Sequence, residues 1–158
     1  MANPRVIEGG RSAKGMRIAI VAARFNHFVV DKLLAAAVET LQSAGISAQD
    51  LDIVRVPGAF ELPLAAKKLA AGKGYDAVIT LGAVIRGGTP HFDYVCSECA
   101  RGVIQAALET GVPVLFGVLT CDDMEQAMDR AGGKHGNKGA DAALAAMEMA
   151  DLLRNLEG

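Results

Sequence analysis

Apolar positions along the chain change their period in a regular order. Residues 17–23, "RIAIVAA", form a continuous apolar run, which predicts a strand buried on both faces. Val30, Leu33, Leu34, Ala37, Val38 and Leu41 then recur at helical spacing, and Gly45 ends that helix. "LDIVRV" at 51–56 predicts a second strand, and "PGAFELPLAAKKLAAG" a turn followed by a helix. "DAVITLGAVI" at 76–85 predicts a third strand, apolar enough to be central. Cys96, Cys99, Ala100, Val103, Ile104, Ala107 and Leu108 lie on one predicted helical stripe, closed by Gly111. "VPVLFGVLT" at 112–120 predicts a fourth strand. Asp122 and Glu125 have capping-box spacing for a short helix reaching about Ala131. Residues 132–139, "GGKHGNKG", predict a loop, and Ala143, Ala146, Met147 and Ala150 mark a last helix.

Four strands alternating with helices predict an α/β domain spanning residues 1–158. Its sheet is parallel, four-stranded and covered by helices on both faces. Val6 and Ile7 could form a short extra strand on an arm of residues 1–14, held off the domain by "GGRSAKG" and free to pair with a neighbouring subunit. Ligands of such sheets bind beyond the carboxyl ends of the strands. The informative loops therefore follow Ala23, Val56, Ile85 and Thr120.

The loop after Ile85 carries the most chemistry. Thr89 and Pro90 suit an N-cap and a first helical position, since proline lacks the amide that would be orphaned there. The amides of that helix start, with the backbone of Gly87 and Gly88, would suit a phosphate. His91 falls in the first helical turn. The helix dipole disfavours protonation of its ring and a bound phosphate favours it, which would poise it as a proton carrier. A plain glycine turn with a surface histidine is the competing reading.

The other loops are less decisive by themselves. In "VPGAFELP", Glu61 is either a ligand-facing carboxylate or a complement to a helix dipole, and Phe60 either a contact or core. Phe25 in "RFN" either stacks on a planar ligand or staples the next helix. Arg130 could serve a helix end. Lys134, His135 and Lys138 are either a cationic lid or a solvated turn.

Composition narrows the classes. The chain is 51% hydrophobic and 22% charged, apolar for a small monomer, which predicts surface hidden between subunits. A net charge of −2, without a basic block, argues against nucleic acid. No run approaches a membrane span and the N-terminus has no signal core, so a cytoplasmic location is expected. Three cysteines argue against a disulfide framework. Cys96 and Cys99 have metal-ligand spacing, with His91 as a third candidate. The helical stripe places both thiols on the apolar face, and no second pair exists. Cys121 precedes the predicted cap and is expected near the surface. No GxGxxG follows the first strand and no P-loop lysine signature occurs, which disfavours dinucleotide and nucleoside triphosphate chemistry.

Taken in order, "RFN", "VPGAFELP", "GAVIRGGTPHFDYV", "FGVLT", "EQAMDRAG" and "GNKG" resemble the 6,7-dimethyl-8-ribityllumazine synthase family, from about Ile7 to Leu153. The resemblance implies a flavodoxin-like three-layer sandwich and a transferase of riboflavin biosynthesis. Such an enzyme condenses 5-amino-6-(D-ribitylamino)uracil with 3,4-dihydroxy-2-butanone 4-phosphate, releasing phosphate and water without cofactor or metal. It implies that Phe25 stacks on the pyrimidine and that Ala59, Phe60 and Glu61 contact the ribitylamino substrate. Ala83, Val84 and Ile85 would offer it backbone groups, and Phe116 would pack on its ring. Gly88, Thr89, Arg130 and Lys138 would hold the phosphate of the second substrate, and His91 would carry protons. It further implies homo-oligomers built from pentamers, as far as a sixty-chain shell, with active sites shared between subunits and a possible association with riboflavin synthase. Gly88 stands where alanine is common, and Cys121 where threonine is common. A non-catalytic flavin-binding protein, a zinc enzyme and a purely structural shell protein are the alternatives.

Overall fold

A computed structural model describes residues 2–72 and 74–157. Four parallel strands, β1 (Ile18–Ala23), β2 (Leu51–Val56), β3 (Ala77–Ile85) and β4 (Val114–Cys121), form one sheet in the order β2-β1-β3-β4. The helices are α1 (His27–Ser43), α2 (Leu62–Ala71), α3 (His91–Thr110), α4 (Met124–Asp129) and α5 (Lys138–Glu157). The result is the parallel α/β sheet covered on both faces that the alternation predicts, in the flavodoxin-like arrangement that the family resemblance implies.

The apolar strands are explained by two cores, one on each face. Ile18, Ile20 and Ala22 of β1 and Ile79 and Leu81 of β3 pack with α1 and α5. The intervening Ala19, Val21, Ala23 and Val78 pack with α2 and α3. A strand buried on both sides needs apolar residues at every position, which erases the polar alternation of a half-exposed strand. Thr80 is the buried polar exception, and its hydroxyl donates to the Leu115 carbonyl at 2.7 Å.

Some local readings shift. α3 carries two apolar stripes. The buried one is Phe92, Cys99, Val103 and Ala106, while Ala100, Ile104 and Leu108 lie on an outer face where Leu108 is 78% exposed. Helical spacing cannot tell two adjacent stripes from one wide one. The cap of α4 is Asp123, whose carboxylate accepts from the Gln126 amide at 2.8 Å, while the Gln126 side chain accepts from the Asp122 amide. The Asp122–Glu125 pairing is thus displaced by one residue. Residues 132–139 are not wholly a loop. Short strands β5 (Ala131–Gly133) and β6 (Gly136–Asn137) make a hairpin, and α5 begins at Lys138, so Lys138 belongs to the helix start. Asn137 Oδ1 caps that start, accepting from Gly139 N at 2.8 Å and Ala140 N at 3.2 Å.

The segment before β1 is not held off the domain. Gly10 N donates to Asp151 at 2.7 Å, Asn155 donates to the Glu8 carbonyl at 2.9 Å, and Ala13 is buried. Val6 and Ile7 form no strand within the single chain, and both are exposed.

Candidate functional site

The order β2-β1-β3-β4 creates a switch point. The connection after β1 leads to one side of it and the connection after β2 crosses to the other, so the loops part above β1 and β3. A cleft of about 810 Å³ opens there. It is lined by Phe25 and Asn26 after β1, Pro57 to Glu61 after β2, Ala83 to Ile85 at the end of β3, and Gly87, Thr89 and His91 beyond it. Phe92, Tyr94 and Val95 of α3 close one side.

Each loop is placed by local chemistry. Asn26 takes a left-handed conformation, φ 61°, which asparagine tolerates better than most side chains. Its amide does not cap α1 but donates to the Ala83 carbonyl at 2.8 Å, tying the first loop to the end of β3. One lone pair of that carbonyl is therefore engaged within the protein. Phe25 is 72% exposed and Phe60 58% exposed, so neither serves the core. Phe25 is held by its backbone amide, which donates to the Pro57 carbonyl at 2.9 Å. Glu61 ends a 3-10 turn (Ala59–Glu61) before α2, and its Oε1 lies near Gly58.

The turn after β3 differs from expectation at one position. α3 begins at His91, and Pro90 rather than Thr89 holds the cap position, with no side-chain cap bond. Proline at φ −70° and ψ 2° already approaches helical geometry, and the Asp93 amide donates to its carbonyl at 3.0 Å. The amides of His91 and Phe92 precede that first bond of the helix. His91 stands at the cleft, on the first residue of α3.

A second, smaller pocket of about 340 Å³ gathers Arg130, His135, Lys138 and Asp141 around Val118 to Cys121. Arg130 spends one donor on its own helix, Nη1 to the Gln126 carbonyl at 3.0 Å, which fulfils the helix-end reading and leaves its other donors. Lys138 is fixed beside it by a 2.9 Å bond from its amide to the Arg130 carbonyl.

The expected site residues thus divide. Phe25, Ala59, Phe60, Glu61, Ala83, Val84, Ile85, Thr89 and His91 line the main cleft, with Gly88 inside its turn. Arg130 and Lys138 line the second pocket, and half-buried Phe116 of β4 lines neither. Sequence reasoning gave no site role to Asn26, Pro57, Gly58, Phe92, Tyr94 or Val95, while the backbone of Gly87, expected at a phosphate, does line the cleft. Asn26 stood inside a quoted motif, and the αL tolerance of asparagine after a strand was the signal available.

The cysteines are poorly suited to nucleophilic or metal chemistry. Burial pushes the Cys99 thiol up to about 12 and raises Cys96 and Cys121 as well. Cys121 is buried at the end of β4, not near the surface as expected, because the strand runs one residue further. Among the described residues no three His, Cys, Asp or Glu side chains are grouped to hold a metal ion. Among the same residues no helix is long and apolar enough to cross a membrane.

The family model for 6,7-dimethyl-8-ribityllumazine synthase matches residues 15–154. The chain belongs to the 6,7-dimethyl-8-ribityllumazine synthase family. A protein named 6,7-dimethyl-8-ribityllumazine synthase from Desulfotalea psychrophila (strain LSv54 / DSM 12343) is 58% identical over 154 residues, 98% of this chain and 99% of that protein. A protein of the same name from Syntrophus aciditrophicus (strain SB) is 56% identical over 153 residues, 97% of this chain and 99% of that one. Every loop that lines the main cleft falls inside the matched lumazine synthase region.

Proposed function

We propose that this protein condenses 5-amino-6-(D-ribitylamino)uracil with 3,4-dihydroxy-2-butanone 4-phosphate to give 6,7-dimethyl-8-ribityllumazine. The observation that carries the reading is the convergence of Phe25, Phe60, Glu61 and His91 on one cleft at the sheet's switch point. Phe25 offers a face to a pyrimidine ring, Ala59 to Glu61 contact the ribitylamino chain with Glu61 on its hydroxyls, and Ala83 to Ile85 supply backbone partners. Gly88 and Thr89 take the phosphate at the start of α3. The amine attacks the ketone and water leaves. His91 then moves the proton whose loss accompanies departure of phosphate, and a second condensation closes the ring. No metal or cofactor enters these steps.

Most of the acceleration comes from holding two solutes in register. Orientation supplies up to ~7–11 kcal/mol, whereas a single proton carrier contributes about 10²–10⁴-fold. The enzyme is an entropy trap with a proton shuttle.

Arg130, Lys138 and Phe116 lie outside the cleft of their own chain. They act on the phosphate and ring of a neighbouring copy in a pentamer-based assembly. Support comes from the outer stripe of Ala100, Ile104 and Leu108, which stays exposed in the single chain, and from exposed Val6 and Ile7. Val6 and Ile7 form the segment that pairs with the neighbour's sheet, the rest of residues 1–158 being one domain. Pentamers join into a closed shell, and a cytoplasmic setting suits both substrates.

The test mixes the protein with both substrates and follows lumazine absorbance and phosphate release together. Matched appearance of both above background supports the reaction. Absence of acceleration by folded, assembled protein overturns it and favours a flavin-binding or structural role. Light scattering tests the assembly: a mass that is no multiple of the pentamer refutes the pentamer-based reading, and a lone pentamer refutes the shell.

A further inference from the structure

Arg86 is the first residue beyond β3, and three parts of the molecule converge on it. Its Nε donates to Asp122 Oδ1 at 2.9 Å, between β4 and α4. Its Nη1 lies 3.5 Å from Asp93 Oδ1 in the first turn of α3. Its guanidinium carbon sits 4.4 Å from the centroid of the Phe92 ring. Its backbone amide donates to the Cys121 carbonyl at 2.9 Å.

Between Arg86 and α3 run Gly87, Gly88, Thr89 and Pro90. A Cβ added at Gly87 or Gly88 would meet nothing within 4 Å, so none of the described residues packs on the side of the turn where side chains would project. The position of the turn is set by its two ends. Arg86 holds both, the entering strand through Cys121 and the departing helix through Asp93 and Phe92. Stability does not explain the arrangement, because both ion pairs are solvent-exposed and such pairs add little. Lysine could not replace it, since only a planar fork stacks on Phe92 while spanning two carboxylates. Arg86 is not among the residues lining the cleft, so it acts through the turn.

We infer that Arg86 is a positioning residue that holds the Gly87–Pro90 turn and the start of α3 where Gly88, Thr89 and His91 meet the phosphate-bearing substrate. This rests on the reaction proposed above. Asp122 opens the segment that leads through α4 to Arg130, so the same guanidinium ties this turn to the base of the second pocket.

The test compares wild type with Arg86→Gln, Arg86→Lys and Asp122→Asn as assembled proteins. KM is measured for each substrate, and inorganic phosphate is titrated calorimetrically without turnover. Arg86→Gln is expected to raise KM for the butanone phosphate and the dissociation constant of inorganic phosphate by roughly 10–100-fold. KM for the ribitylaminouracil and the melting temperature stay near wild type. Arg86→Lys recovers only part of the loss, and Asp122→Asn moves the phosphate constants in the same direction by less. Unchanged phosphate constants in Arg86→Gln, an equal rise for both substrates, or full recovery by Arg86→Lys would overturn the inference. A wild-type protein that forms no product overturns the proposed reaction, while the phosphate titration still reads the role of Arg86.

Discussion

Gly139 is where two helices meet too closely for any other residue. A Cβ there would lie 2.0 Å from the Leu33 carbonyl oxygen and 2.7 Å from its carbon, both backbone atoms of α1. Ordinary contact begins near 3.4 Å, so Gly139→Ala demands a retreat of roughly 1.4 Å between α1 and α5. Two effects oppose each other. Alanine in place of glycine within a helix gains up to ~1 kcal/mol of intrinsic propensity. Overpacking a filled interior costs about 1–3 kcal/mol. The retreat also strains the Asn137 cap, whose loss costs ~1 kcal/mol. Sterics therefore win, with a net destabilisation of about 1–3 kcal/mol and a melting temperature lower by roughly 2–12 °C. The consequence reaches the second pocket, because Lys138 directly precedes the displaced residue and is bonded to Arg130. KM for the phosphate substrate is expected to rise alongside the thermal loss. Calorimetric melts of variant and wild type at matched protein concentration measure the effect, since assembly raises apparent stability by mass action. A variant that melts at or above wild type would show that the helices part without cost, and would refute the packing argument.

Three further outcomes follow from the site. His91→Ala should slow turnover by about 10²–10⁴-fold yet leave a rate above background, because orientation survives; complete loss of acceleration with both substrates still bound would sink the entropy-trap mechanism. Arg130→Ala should weaken the phosphate substrate far more than the ribitylamino substrate, since a charge-assisted contact serves only the former; equal weakening in separate titrations would refute the assignment. Cys99 has its thiol raised from 9.0 to about 12 by burial, so the stability gained by keeping it neutral is fully present below pH ~9 and is lost as pH rises toward 12. Cys99→Ala should flatten the fall of denaturation midpoints across that window, and an unchanged alkaline slope would show that another group controls it.

The candidate site was legible in unequal measure. Phe25, Phe60, Glu61 and His91 stood on loops that the strand pattern alone marked as the carboxyl ends of a parallel sheet. The competing readings of Phe25 and Phe60 as staple or core were plausible from sequence, because an aromatic ring looks the same in either role. Only exposure separates them. The phosphate reading of the turn and the proton-carrier reading of His91 came from the helix start after β3, whereas the identity of the substrates and the remaining roles came from resemblance to a family.

The amino-acid sequence by itself determined the four strands of the parallel sheet, the helices α1 to α5 that alternate with them and follow them, and the loops that bear chemistry, but not the β5–β6 hairpin. These follow from local causes, namely apolar period, glycine and proline punctuation, and the buried character of β1 and β3. Tertiary structure alone decided which stripe of α3 faces the core and that Asn26 reaches Ala83. It also decided that Arg86 joins Asp93, Phe92 and Asp122, and that Gly139 touches Leu33. The partners in these contacts lie between 36 and 106 residues apart, apart from the Arg86 contacts with Asp93 and Phe92, or depend on which neighbour covers a helix. Spacing along one segment carries no information about what packs against it from another, and so the pattern ends where the through-space contacts begin.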